Sequence, residues 1–185
     1  LDKKQQILAT ALRMFVEYGF HGTATAKVAQ EAGVANGTLF HHYKTKDELV
    51  LAIYVWIKDE LEASLAAITH DSDFITPKFK TIFTATLHWA LQNRGKFYYL
   101  RQFELSPHYA NVPTGDNQTI LDRLIAEGIR RKILRTHPAE LILTLYNNHV
   151  FGLYQYITQA DLEPNKQTAI ISEGYEMIWG MLKYA

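Results

Sequence analysis

Between Ala32 and Leu49 the chain reads AGVANGTLFHHYKTKDEL. Asn36, Thr38, His41 and His42 offer hydrogen-bonding side chains, Lys44 and Lys46 add two ammonium groups, and no acid stands between Val34 and Lys46. Such a set suits the binding of an anion, phosphate above all, rather than bond-making. His41 and His42 are adjacent, about 100° apart on a helix, which is a poor arrangement for one metal ion. No His-Glu-x-x-His spacing and no nucleophile-elbow serine occurs. No enzyme activity, catalytic residue, metal ligand or cofactor is therefore expected.

The elements that must position these residues are short helices. Residues 3 to 19 put Ile7, Leu8, Ala11, Leu12, Phe15 and Tyr18 on one side, with Gly19 at the end. Thr23 is placed to cap a second helix over 24 to 31, which buries Val28, Ala29 and Ala32 and ends at Gly33. A third helix over 35 to 42 aligns Ala35, Leu39 and Tyr43 for docking. Gly37, Thr38, Phe40 and His41 then point outward, with His42 at the edge. Thr45 and Glu48 form a capping box for a fourth helix running to about 69. A glycine on an exposed helical face permits close backbone approach, and the pair of second and third helices fits a helix-turn-helix. From these residues alone, a DNA-binding unit and a purely structural three-helix unit both stay open.

Composition narrows the field. The 19 basic side chains balance 19 acidic ones among 185 residues, so any anion is met by a local patch and not by a general basic coat. The chain has no cysteine, which excludes disulfides and thiolate zinc sites. It opens at Leu1, with whatever precedes that residue outside the reading. No bilayer-length apolar run and no leader is apparent, so a cytoplasmic protein with no membrane partner is expected.

The remaining chain keeps period 3.6, with helices expected at about 74 to 94, 96 to 106, 116 to 133, 138 to 160 and 165 to 184. The expected fold class is all-α. Breaks fall at 69 to 73, Gly95, 106 to 116, 135 to 138 and 161 to 165, and 106 to 116 reads as a mobile loop near a ligand entrance.

The run ILATALRMFVEYGFHGTATAKVAQEAGVANGTLFHHYKTKDELVLAIY resembles the N-terminal domain of the tetracycline-repressor (TetR) family of transcriptional regulators, over about residues 5 to 55. The match lies in a helix ending Tyr-Gly-aromatic, Val-Ala in the next helix, Ala-Gly-Val, Gly-Thr-Leu-aromatic, His-aromatic and Lys-Asp-x-Leu. The resemblance implies a helix-turn-helix DNA-binding domain at 1-48 and a larger helical ligand-binding and dimerisation domain at 49-185. It further implies a homodimeric repressor that binds a palindromic operator in double-stranded DNA and is released by a small-molecule effector. Carried over position by position, the DNA contacts fall on Thr25, Asn36, Gly37, Thr38, Phe40, His41, His42 and Lys46. Thr38 and His41 are the candidates for base edges. Two positions depart from the pattern: Ala35 stands where a serine often caps the third helix, and Phe40 where a tyrosine often reaches phosphate. Phe40 would instead suit a thymine methyl.

The later helices carry two further expectations. Trp89, Tyr98, Phe103, Tyr146 and His149 are candidates to line an effector pocket; the competing reading makes them core. Glu104 would suit a cationic effector and its neighbour Arg101 an anionic one. The last two helices are apolar on more than one side, which points to a four-helix dimer interface with Leu145, Gly152, Tyr156, Ile171, Tyr175, Ile178 and Trp179 as candidates. A helical interaction or carrier module is the rival to a regulator; it predicts that Lys46 and His41 are dispensable for DNA affinity.

Overall fold

The periodicity of the sequence is realised in a computed structural model that describes residues 2–69, 74–113 and 118–184. Among them lie nine α-helices, a 3₁₀ segment and no strand beyond one isolated bridge between Leu134 and Lys183. The fold is all-α. The helices are α1 (Lys3–Gly22), α2 (Thr25–Glu31), α3 (Asn36–His42), α4 (Lys46–Ala66), α5 (Ile75–Gln92), α6 (Arg94–Glu104), α7 (Ile120–Arg130), α8 (Ala139–Gln159) and α9 (Pro164–Leu182), with the 3₁₀ segment at Pro107–Asn111. None of the described helices is long and apolar enough to cross a membrane. The turn expected over 69 to 73 and the end of the 106 to 116 stretch fall largely outside the described residues.

Two compact units divide the chain. The first comprises Leu1–Glu60 and Asn93–Gly115, the second Leu61–Gln92 and Asp116–Ala185. In the first, α1 packs against α2, α3 and α6, and the 3₁₀ segment lies on α6. Its core is the row the spacing anticipates: Ile7, Ala11 and Phe15 of α1, Leu39 of α3, and Leu49, Val50, Ile53 and Ile57 of α4 are fully buried. Each large side chain among these contributes roughly 1.5–3 kcal/mol of transfer free energy. In the second unit α5, α7, α8 and α9 form the packed body. Gly174 lets α8 and α9 close together, since a Cβ there would stand within van der Waals radii of the Leu153 side chain.

Several local expectations are corrected. Tyr18 is about half exposed, with the Lys27 ammonium 5.0 Å from its ring centroid. α1 kinks at Gly19 (φ 74°, ψ 170°) and continues for another turn to Gly22. Thr23 does not cap α2, whose N-cap is Ala24 with no side-chain bond. Its buried hydroxyl donates instead to the Gly19 carbonyl (2.9 Å) and the Met14 carbonyl (3.2 Å). Both acceptors belong to α1, so the threonine serves the end of α1 and not the start of α2. Ala35 is exposed, and Leu39 and Tyr43 alone dock α3. α4 ends at Ala66, and Pro107–Asn111 turns into a 3₁₀ segment within the expected loop.

Candidate nucleic-acid interface

The anion-binding set of the sequence is presented by α2, a tight turn and α3. Gly33 takes φ 66°, a left-handed conformation that glycine adopts without penalty, and the Val34 amide donates back to the Ala29 carbonyl at 3.0 Å. That turn reverses the chain after α2. α3 is then fixed by burial of Leu39 and Tyr43 beside Val28 and Ala29.

Fixing that side exposes the other. Asn36, Gly37, Phe40, His41 and His42 are exposed and Thr38 is half-buried. Phe40 leaves 43% of its surface to solvent, and the His41 and His42 rings meet edge-on with centroids 5.5 Å apart. A Cβ built on Gly37 meets no atom within 4 Å, and the residue's φ is not positive. The fold therefore has no need of glycine at this place. The N-cap of α3 is Ala35, which offers no side-chain bond and leaves the first amides of the helix free of a capping side-chain oxygen.

The next element adds cations. Lys46, half-buried, is the first residue of α4, and Thr25, also half-buried, the first of α2. Thr45 Oγ1 accepts from the Glu48 amide (3.1 Å), and the Glu48 carboxylate accepts from the Lys44 amide (2.6 Å). The expected box thus forms, but the glutamate reaches one residue further back than the cap's own amide. The acids Asp47 and Glu48 of this turn have their own partners: Asp47 lies 3.3 Å from His108 Nδ1, and Glu48 accepts from the Lys44 backbone amide. The ammonium groups of Lys44 and Lys46 pair with no carboxylate among the described residues. The surface from Asn36 to Lys46 combines exposed hydrogen-bonding side chains, two lysines and a helix face with room for backbone approach, a combination suited to phosphate and base edges. No group of three or more potential metal ligands clusters among the described residues.

Two supports of this surface escape the sequence reading. Tyr99 of α6 is fully buried against Phe15 and Phe20 of α1, and its hydroxyl donates to the Val50 carbonyl of α4 at 2.8 Å. His108 of the 3₁₀ segment meets both Asp47 and the edge of Phe20, 5.2 Å between centroids. The aromatic run 97 to 103 is the signal for Tyr99, but it carries no mark of which helix it serves.

The candidates for an effector pocket fall in both units. Tyr98 is half exposed; Phe103 is fully buried and stacked on Tyr54, with centroids 4.2 Å apart. In the second unit Trp89 and Tyr146 are buried, Tyr146 between Phe79 and Phe83, and His149 Nε2 lies 2.7 Å from the Gly174 carbonyl oxygen. Neither a cleft between α1 and α4 nor a groove beside α5 is lined by any of the five. Arg101 and Glu104 bond each other at 2.9 Å. Burial raises the Glu104 carboxyl above its ordinary range, against the lowering influence of Arg101 and Lys58.

The dimer candidates also divide. Leu145, Gly152 and Tyr156 are on the surface of α8. Ile171, Tyr175 and Ile178 are not available on any surface: they lie in the interior of their own unit, and Trp179 is half-buried. The outward face of α9 is carried by Met177 and Met181, apolar residues one turn apart and about 40° round the helix from each other.

Comparison with known proteins agrees with this geometry. The family model described as "Bacterial regulatory proteins, tetR family" matches residues 7–53, the stretch from α1 into α4. The chain is 25% identical over 136 residues to the fatty acid metabolism regulator protein of Bacillus subtilis (strain 168), covering 69% of each. It is 38% identical over 69 residues to the HTH-type transcriptional regulator RutR of Escherichia coli (strain K12), covering 37% of this chain and 32% of RutR. A crystal structure from Shewanella sp. PV-4, assigned to the tetR family of transcription regulators, superposes with a TM-score of 0.91 at 30% identity over 100% of both chains. With a helix-turn-helix whose third helix turns a polar, acid-free face outward, and with likeness to such a regulator along the whole length, the chain belongs to the TetR family of DNA-binding transcriptional regulators.

Proposed function

We propose that the protein is a repressor that binds a palindromic operator as a homodimer and releases it when a small-molecule effector binds. It acts by binding, without turnover. Its base and phosphate contacts are Thr25, Asn36, Gly37, Thr38, Phe40, His41, His42 and Lys46. The observation that carries the reading is the unoccupied face of α3, where a glycine with no steric duty to the fold sits among exposed polar groups. One such helix makes few contacts, so a second copy related by a two-fold axis supplies a second half-site about 34–36 Å away.

Dimerisation is supported by apolar surface with no covering in the protomer. On α8, Leu141, Leu145, Gly152 and Tyr156 repeat on one face, and Met177 and Met181 do so on α9. Met177 is 68% exposed and Tyr156 53%. Two helices from each copy would form a four-helix interface, and Gly152, with open space at its Cβ position, would admit close approach of the partner. The DNA-binding domain is taken as residues 1-48 and the effector-binding and dimerisation domain as 49-185. α4, whose residues are shared by the two units, would transmit effector binding to α3. An effector acts only through unequal affinity for the DNA-bound and free forms.

The test begins with selection of bound duplexes from random DNA by the full chain. A palindromic consensus and a complex of two chains per duplex are expected. Small molecules, fatty acids included given the name of the B. subtilis relative, are then screened for release. A consensus without two-fold symmetry, or Lys46→Ala and His41→Ala variants with undiminished affinity, overturns the reading.

A further inference from the structure

The first turns of α1 and the N-terminal half of α4 border a cleft of about 790 Å³ inside the first unit, within the volume range of small-molecule pockets. Its walls are apolar, with Leu8, Leu51, Ala52, Val55 and Trp56. Val55 is 43% exposed and so adds little to the core. The charges that line the cleft are three carboxylates, Asp2, Glu48 and Asp59, against one ammonium, Lys4. Asp2 and Glu48 each accept one backbone amide, from Gln5 and Lys44 respectively, and Asp59 pairs with no cation among the described residues.

A second and independent feature is Tyr43. It lines the cleft and is 95% buried, at 5% exposure, yet its hydroxyl has no hydrogen-bond partner. Burial raises this phenol above its ordinary range, and the Asp2 carboxylate adds to the rise. An unpaired buried phenol weakens a fold unless a partner arrives. Phenylalanine would fill the same space without the penalty, so the hydroxyl calls for an acceptor.

We propose that the α1–α4 cleft binds an amphipathic organic cation that also carries a hydrogen-bond acceptor. Asp2, Glu48 and Asp59 give the cleft the negative potential that holds the cation, the apolar body lies on Leu51, Ala52, Val55 and Trp56, and the acceptor takes the Tyr43 hydroxyl. Excess negative charge selects the sign of the ligand, and the indole and phenol rings favour a cation further. The Lys96 ammonium already lies 5.1 Å from the Trp56 ring centroid, but the Glu60 carboxylate neutralises it. The cleft shares no residue with Trp89, Tyr98, Phe103, Tyr146 and His149, the candidates for an effector pocket. Its occupant would touch Tyr43, which ends α3 with its amide on the Leu39 carbonyl (2.8 Å), and Glu48, which closes the turn into α4.

Tetracaine is a suitable probe: a protonated tertiary amine joined through an ester carbonyl to a butylaminophenyl ring. The ¹⁵N-labelled full chain is titrated near pH 7 at low salt while the indole signals of its three tryptophans are followed, with Trp56 assigned through Trp56→Phe. A saturable shift of the Trp56 signal is expected, with Trp89 and Trp179 unmoved. The matched anion 4-(butylamino)benzoate should bind at least tenfold more weakly. Val55→Lys, a change at an exposed position, should weaken tetracaine at least fivefold, and Tyr43→Phe about three- to tenfold. The proposal is overturned by the absence of a saturable Trp56 shift, by shifts confined to Trp89 or Trp179, or by equal affinity for the benzoate. It is equally overturned if Val55→Lys and Tyr43→Phe bind tetracaine as the parent does while their circular dichroism matches it.

Discussion

Gly37→Ala should make the protein more stable and its DNA binding weaker, a pairing of signs that a structural glycine would not give. In the folded chain the new methyl meets nothing within 4 Å, and Gly37 has no positive φ to lose. The substitution therefore removes backbone freedom from the unfolded chain at no steric cost, worth about 0.5–1 kcal/mol in a helix. For a chain of this size that is a rise in Tm of about 1–4 °C. On DNA the same methyl stands where the backbone of α3 should approach the duplex. A loss of roughly tenfold per half-site corresponds to about 1.4 kcal/mol, so an operator bound by two copies should lose roughly a hundredfold. Melting by differential scanning fluorimetry and affinity by fluorescence anisotropy on the selected operator, at fixed salt, measure both signs. Lys46→Ala provides the electrostatic companion: the slope of log affinity against log salt should shrink by about 0.9 for each phosphate contact removed. Unchanged affinity in Gly37→Ala, or a lowered Tm, refutes the reasoning that leaves this glycine to the duplex.

Three other outcomes follow from the packing. Gly128→Ala would set a Cβ 2.8 Å from Leu134 Cγ and Cδ1; Leu134 is fully buried and its backbone is tied to Gly128 and Lys183, so a net loss of about 1–2 kcal/mol is expected by denaturant titration after the helical gain is subtracted. Gly95→Ala, with open space around its Cβ position, should instead gain, and a common sign for the two would contradict the geometry. Leu145→Glu combined with Met177→Glu places charge on the exposed faces of α8 and α9, so sedimentation should show monomers with parental helicity, and a persistent dimer would remove these faces from the interface. Burial raises the phenols of Tyr54, Tyr99 and Tyr146 above the usual tyrosine range and that of Tyr175 to about 12. The folded state then holds protons that the unfolded chain loses near pH 10, so stability is full below that value and falls above it, by up to about 1.4 kcal/mol per pH unit for each phenol. Tyr146→Phe should make the decline between pH 10 and 11 shallower in denaturant titrations, and an unaltered decline would count against burial of that phenol.

The sequence is legible where a side chain's partner lies within a few residues and silent where it does not. Leu39 and Tyr43 on one side of α3, the Gly33 turn and the Thr45 cap follow from spacing, because helical geometry converts offsets into faces directly. Thr23 fails for the same reason: it stands where an N-cap should, yet its hydroxyl goes back to the Met14 and Gly19 carbonyls of α1, across a kink at Gly19 that no local pattern announces. In α9, Ile171, Tyr175 and Ile178 differ from Met177 and Met181 in no property that periodicity reads, since both faces are apolar. Which face belongs to the protomer is decided by α5 and α8, and Gly174 fixes it by letting Leu153 in. Tyr98, Phe103 and Tyr146 were as plausible around a ligand as in a core, because burial against protein and burial against ligand ask for the same side chains.

The family match ends at residue 53, but the unit that holds α3 does not. Tyr99 brings α6 onto both α1 and the Val50 carbonyl, and His108 brings the 3₁₀ segment onto Asp47, the neighbour of Lys46. The orientation of the start of α4 is thus set partly by residues some fifty positions later in the chain. Tyr99→Phe tests that dependence, because it deletes one hydroxyl and keeps the ring in place. Loss of a buried neutral hydrogen bond costs about 0.5–1.5 kcal/mol of stability. If α6 also holds α4 in register for DNA, operator affinity should fall at a temperature where the variant remains fully folded. Affinity equal to the parent's under those conditions would confine Tyr99 to stability and leave the placement of Lys46 to the Thr45 cap and the His108–Asp47 contact.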